Sequence, residues 1–216
     1  MWCIPKVTPE YEQKMLDVLE VYERPYDPKF PVICVDEKSK QLVEDSRPGM
    51  PAKPGRIAKQ DYEYRRHGTV NLFVAVEPKG NRRKVTVTKH RKKVDFVKFT
   101  RRLVEHDYRQ AEKVILVLDN LNTHFEKPFR EVLNPDQADR LLKRIEFHHT
   151  PKHASWLNQA EIEIQALSTQ CLSQRVSTFP TMRHHVSVWT KERNQNQVGI
   201  NWKFTRKKAR EKFHLT

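Results

Sequence analysis

Two aspartates stand at the ends of apolar runs in this sequence. The densest run, Val114-Ile115-Leu116-Val117-Leu118, stops at Asp119 and is followed at once by Asn120-Leu121-Asn122-Thr123-His124. Upstream, Pro31-Val32-Ile33-Cys34-Val35 stops at Asp36-Glu37. Short runs rich in Val and Ile are the mark of strands covered on both faces, and such sheets carry their functional groups at strand ends. Two carboxylates brought side by side resist joint ionisation unless a cation lies between them. The chemistry on offer is that of a divalent-metal site. Mg²⁺ is commonly held by one or two carboxylates plus phosphate oxygens, and two ions about 4 Å apart can activate an attacking oxygen and stabilise a leaving one.

Composition narrows the partner. The chain has 216 residues and a formal net charge of +14, with a pI near 9.8. Its length suits one large domain, or one domain with appendages. So basic a balance points to a polyanion, nucleic acid first, held through phosphate neutralisation. Three cysteines, Cys3, Cys34 and Cys171, form no CxxC pair, which argues for reduced thiols and against a zinc knuckle. Neither a long apolar run nor an export signal is visible, so a cytoplasmic, nucleoid-associated protein with no membrane partner is expected.

The elements that must position the acids follow from local signals. Thr8-Pro9-Glu10 opens a predicted helix over 8–24, with Thr8 as cap and Pro9 in the first turn. Residues 38–68 are charged, carry prolines and glycines and lack apolar periodicity, which predicts a long loop or an inserted segment. Strands are expected at 69–76 and 84–88, joined by Pro78-Lys79-Gly80-Asn81. A helix with one apolar face covers 94–107, and the strand ending at Asp119 comes next. A loop is expected around 126–140, a helix over 137–144 and a fifth strand over 145–149. A further helix runs from 155–158 to about Ser173, another covers 181–193, and a basic tail spans 203–212. Three strands in a meander, then two added through helical crossovers, make a ribonuclease H-like α/β fold: a mixed five-stranded sheet flanked by helices. In that arrangement the first and fourth strands are neighbours, which would bring Asp36 and Asp119 together. The expected organisation is an N-terminal helix and linker (1–29), a catalytic domain (30–175) and a basic helical extension (176–216).

A two-metal site needs a third acid, and the helix after the fifth strand offers two. At about 100° per residue, the stripe Leu157, Ala160, Ile164, Leu167 and Cys171 is flanked by Glu161 on one side and Glu163 on the other. Helical geometry leaves both open.

Four ordered blocks of the sequence resemble one family. His149-Thr150-Pro151-Lys152-His153-Ala154-Ser155-Trp156-Leu157-Asn158-Gln159-Ala160-Glu161 is similar to the third-acid block, Leu-Asn-x-x-Glu, of the DDE transposases of bacterial insertion sequences in the mariner superfamily. Asp36-Glu37-Lys38, Leu118-Asp119-Asn120 with His124, and Arg66-His67-Gly68-Thr69 match its other blocks, over roughly residues 30–175. The resemblance implies a core that cuts element ends and joins their 3′ hydroxyls to target DNA. It implies Asp36, Asp119 and Glu161 as catalytic, metal-binding acids for two Mg²⁺ or Mn²⁺ ions. Lys38, Arg66, His67, Asn120, His124, Lys152, His153 and Asn158 are the expected DNA contacts, and a homodimer is the expected active assembly. Residues 79–113, with thirteen Lys or Arg against four acids, and 203–212, with six against one, are candidate phosphate-contacting stretches.

The chain departs from the family pattern in starting too close to Asp36 for helix-turn-helix modules, so a truncated or split transposase is expected. The 41 residues between Asp119 and Glu161 are also more than the family commonly shows. Blander readings stand beside each signal. A lone strand-end Asp is more often a turn or cap residue, and only the ordered set of three reverses that. His148-His149-x-x-x-His153 has a zinc-like spacing, but no cysteine or acid completes it. Trp156 reads as a core anchor before a base-stacking platform, and the 82–93 basic run can be a solvated face. The rival function is a non-catalytic DNA-binding remnant acting as a regulator. A ribonuclease H or Holliday-junction nuclease would share the fold, but the Leu-Asn-x-x-Glu block points away from both.

Overall fold

A computed structural model of the chain describes residues 7–59 and 61–215; Cys3 lies outside them. The chain opens with helix α1 (Pro9–Glu23), capped by the Thr8 hydroxyl, which accepts from the Tyr11 N–H at 3.2 Å. Strands β1 (Val32–Asp45), β2 (Tyr64–Glu77) and β3 (Arg82–Thr88) follow, then helix α2 (Lys93–Arg102), which runs on into one π-helical turn over 103–107. Next come β4 (Val114–Leu118), α3 (Glu126–Val132), α4 (Pro135–Leu142) and β5 (Ile145–His149). A 3₁₀ turn over 155–157 leads into α5 (Ala160–Gln170), and α6 (Phe179–Gln195) and α7 (Arg206–Phe213) complete the order.

The sheet order is β3-β2-β1-β4-β5, with β1–β2 and β2–β3 antiparallel and β1–β4 and β4–β5 parallel. This is the expected meander with two crossover strands. Every residue of β4 is buried, as its unbroken apolar run requires when both faces are covered. On one face Ile33, Val35, Phe73, Leu116 and Leu118 pack under Phe96, Leu103, Phe129 and Leu141 of α2, the π turn, α3 and α4. On the other face Cys34 and Val117 meet Met15, Val18 and Leu19 of α1 and Ala160 of α5, with Ala209 of α7 in the same cluster. Leu72 and Val74 meet Ile164 and Leu167 of α5 and Met182, Val186 and Trp189 of α6. The N-terminal helix and the C-terminal extension therefore share the core of the catalytic domain.

Three local expectations need correction. Residues 38–68 are not one long loop, because β1 runs on to Asp45 and β2 begins at Tyr64. The two strands project as a hairpin with a bulge between Gln41 and Val43. Little of that extension is buried, so its sequence has no apolar alternation to read; Leu42, packed against α5 and α6 side chains, is the exception. Gly68 within it has φ +91°, a conformation that side-chain-bearing residues rarely adopt. Residues 126–140 hold two short helices rather than a loop; α4 is capped by Asn134, whose carbonyl accepts from Gln137 N–H at 2.9 Å. The helix entering at 155–158 is broken by an extended Asn158. Among the described residues no helix is long and apolar enough to cross a membrane.

Candidate active site

The parallel register sets β1 against β4 with Val32 opposite Ile115, Ile33 opposite Leu116 and Cys34 opposite Val117. Two residues further along, Asp36 comes level with Asp119. Asp36 is buried, and its Oδ1 accepts from the Glu37 N–H at 2.7 Å. Asn158 Nδ2 donates to Val35 O at 2.9 Å and reaches Asp36 Oδ2 at 3.4 Å, while its Oδ1 accepts from Ala160 N–H at 3.1 Å. One asparagine thus ties the N-terminal half of β1 to the first turn of α5. Tyr22 of α1 supports the same joint by donating to Leu157 O at 2.9 Å.

Asp119 is held by a different partner. Its Oδ1 accepts from Leu121 N–H at 3.2 Å and lies 2.6 Å from His124 Nδ1; His124 Nε2 lies 2.9 Å from Glu37 Oε1. Burial opposes a charge on this imidazole, but the two carboxylates prevail and raise it to about 9. Burial would lift the Asp119 carboxyl, but the hydrogen bond and charge of His124 hold it below its ordinary range. Asp36 has no such cation: burial pushes it up to about 7, and the charges of Glu161 and Asp119 add to the rise.

Glu161 and Glu163 have different surroundings. Glu163 is buried, with Oε1 2.7 Å from Arg193 Nε of α6 and 2.9 Å from Arg83 Nε of β3. Both its oxygens are committed, since Oε2 accepts from Arg193 Nη2 at 3.1 Å. Glu161 is only partly buried; burial and the Asp119 charge raise its carboxyl, and Lys38 opposes. Glu161 therefore belongs electrostatically with Asp36 and Asp119.

An all-oxygen donor set in which the Asp119 charge raises both Asp36 and Glu161 fits a hard divalent cation. Among the described residues no group of three His, Cys, Asp or Glu stands close enough to enclose an ion. The zinc spacing does not become a site: His148 lies between Asp17 (2.7 Å) and Glu146 (2.8 Å), and His149 bonds to His124 O at 2.9 Å.

The expected DNA contacts divide. Lys38, Lys152 and His153 are exposed. Asn120 is partly buried, accepting from Lys14 Nζ at 3.4 Å and donating to Thr150 O. Arg66 and His67 are exposed on the hairpin, with His67 2.9 Å from Glu44. Arg66 pairs with Val43 whereas Asp36 pairs with Val74, so eight residues of β2, roughly 26 Å, separate that block from the acids. His124 and Asn158 are corrected: both are fully buried, and their polar atoms serve Asp119, Glu37, Asp36 and Val35 instead of a DNA surface. Sequence reasoning assigned no role to Arg193 or Lys14 and counted Arg83 in a phosphate-contacting or solvated basic run, whereas Arg83 is buried against Glu163. An Arg in a basic chain carries no local mark of being buried against one acid.

A family model described as DDE superfamily endonuclease matches residues 31–183, spanning all three acids. The chain belongs to this family. Among solved structures this DDE endonuclease is similar to the Mos1 mariner paired-end complex with Mn, with TM-score 0.57 and 16% identity over 99% of this chain and 63% of that one. It is similar to the Mos1 strand transfer complex with TM-score 0.58 and 17% identity over 99% and 65% of the two chains. At these identities the likeness is one of fold, the ribonuclease H-like sheet with its helices. The chain thus spans about two thirds of the length of those neighbours. No curated protein matches it.

Proposed function

We propose that this DDE endonuclease is the catalytic core of a mariner-type transposase that cuts DNA at element ends and joins the 3′ ends to target DNA. The observation that carries the reading is the level placement of Asp36 and Asp119 on adjacent parallel strands, with Glu161 in their field. These three acids would hold divalent cations, Mg²⁺ or Mn²⁺ and two in number, whose bound form supplies Lewis acidity to the attacking and leaving oxygens. The Glu37 N–H and Asn158 fix the Asp36 carboxylate, so that it need not reorient. His124 orients Asp119 through Oδ1, and Asp119 Oδ2 makes no hydrogen bond among the described residues. Exposed Lys38, Lys152 and His153 offer positive or donor groups to the DNA backbone beside the acids.

The Mos1 neighbours include paired-end complexes, one with Mn and another with Mg. They support DNA as the partner, a divalent cofactor and a homodimer on two ends as the working assembly. The deciding experiment is nicking and strand joining on supercoiled plasmid with Mg²⁺ or Mn²⁺, comparing the chain with Asp119→Ala. Metal-dependent products lost in the variant support the enzyme. DNA binding without products from either chain supports the regulatory remnant instead.

A further inference from the structure

A second basic feature lies away from the acids. β3 is one edge of the sheet, and a groove of about 1010 Å³ runs along it between α6 and the end of α2. At one end the Asn194 amide meets the strand as a neighbouring strand would: its Oδ1 accepts from Arg83 N–H and its Nδ2 donates to Arg83 O, both at 2.9 Å. Because strand geometry alternates, the N–H and C=O of Val85 and Val87 face the same way, and neither α2 nor α6 bonds to them.

The walls carry cations. Arg102, Arg183 and Lys191 line the groove, are exposed, and make no ion pair among the described residues. The one acid in the described lining, Asp107, is taken by Lys84 at 3.2 Å. Arg183 and Lys191 lie eight residues apart on α6, about 12 Å along its axis, a spacing suited to a polymer of repeated charges more than to one anion. Phe179 adds an aromatic ring to the same lining, and the Tyr108 ring there lies under the Arg82 guanidinium at 5.1 Å. A positive slot with aromatic side chains and free backbone donors is the chemistry that holds a single nucleic-acid strand. A slot bounded by one strand and helix sides admits one backbone, whereas a duplex presents grooves into which protein elements are laid.

We infer that this β3–α6 groove is a second nucleic-acid site, taking a single DNA strand by its phosphodiester backbone. It lies two strands from the acids, about 10 Å across the sheet, because Val85 pairs with Val74 and Val74 with Asp36. A strand leaving the acid cluster can therefore be received on the same side of the molecule. The inference does not depend on the acids being catalytic.

The test is binding of a fluorescent single-stranded oligodeoxynucleotide to the full chain in EDTA, over a salt series. Arg102→Gln/Arg183→Gln/Lys191→Gln is compared with Lys127→Gln/Arg140→Gln/Lys143→Gln, which removes the same charge at exposed positions outside the groove. The groove variant is expected to bind about tenfold more weakly, with a salt slope lower by about 2, at roughly 0.7 per lost phosphate contact. The comparison variant should change far less. The charge-keeping Arg102→Lys/Arg183→Lys/Lys191→Arg, with wild-type circular dichroism, should retain binding. Equal weakening by both Gln variants, or by neither, overturns the site. A duplex that loses as much affinity as the single strand overturns the single-strand assignment, and preferential capture of polyglutamate over the oligonucleotide overturns nucleic acid as the occupant.

Discussion

His124 Nδ1 lies 2.6 Å from Asp119 Oδ1, and the other ring nitrogen of His124 lies 2.9 Å from Glu37. One buried imidazolium thereby neutralises an acid from β4 and an acid from β1, and does so on the face of the sheet where Phe96 packs against the ring at 4.6 Å. Asp36, within the adjacent strand β1, is left with N–H donors alone. The two aspartates are thus unequal: Asp119 is held ionised by a protein cation, and Asp36 is the one whose charge waits for a partner.

Replacing His124 leaves Glu37 and Asp119 facing each other without their cation. Breaking one side of a buried pair costs on the order of 3–5 kcal/mol. His124→Gln should lower the urea midpoint accordingly, and activity measured well below that midpoint should fall as Asp119 loses its orientation. An unchanged midpoint would remove the imidazolium from the account.

The same histidine sets an alkaline limit. Its folded pKa, about 9, is above the ordinary 6.5, so its contribution is fully present below pH 6.5 and is lost as pH rises through about 9. Denaturation midpoints in EDTA should decline between pH 7 and 9 in the wild type, and that decline should flatten in His124→Gln.

Asp36 works in the opposite chemical sense but by the same rule. With its carboxyl raised from 3.8 to about 7, metal-free stability is greatest below pH 3.8 on this group's account and falls as pH rises through 7. Asp36→Asn should therefore raise the EDTA midpoint at pH 8 while abolishing nicking. Mn²⁺ should raise the wild-type midpoint by mass action and leave the variant nearly unmoved.

Glu161 and Glu163 should separate cleanly by experiment. Glu161→Gln should abolish metal-dependent products with little loss of stability. Glu163→Gln disrupts the contacts to Arg83 and Arg193 and should cost about 3 kcal/mol of stability. Thermal midpoints and plasmid nicking on the two variants give the comparison directly.

Asn158→Ala should cost about 2 kcal/mol, because Val35 O is buried and loses its donor. Nicking should drop at least as far as stability predicts, since the same amide steadies Asp36.

What the sequence determined by itself was local. The β4 run, the Thr8 and Asn134 caps and the aspartate that follows β4 could all be read because apolar burial and helix ends leave their mark on adjacent residues, whereas β1 runs on past Asp36 to Asp45. The pairing of β1 with β4 followed from the order of elements alone. Tertiary structure decided the rest. Glu161 and Glu163 flank the same helix stripe, and only arginines brought in from β3 and α6 claim Glu163. His124 and Asn158 look like surface donors in the chain and become buried positioning groups because Glu37 and Val35 arrive from a strand more than eighty residues away. The hairpin of residues 38–68 escaped notice for the converse reason. Its pairing rests on backbone hydrogen bonds between largely unburied strands, which demand little of side-chain pattern.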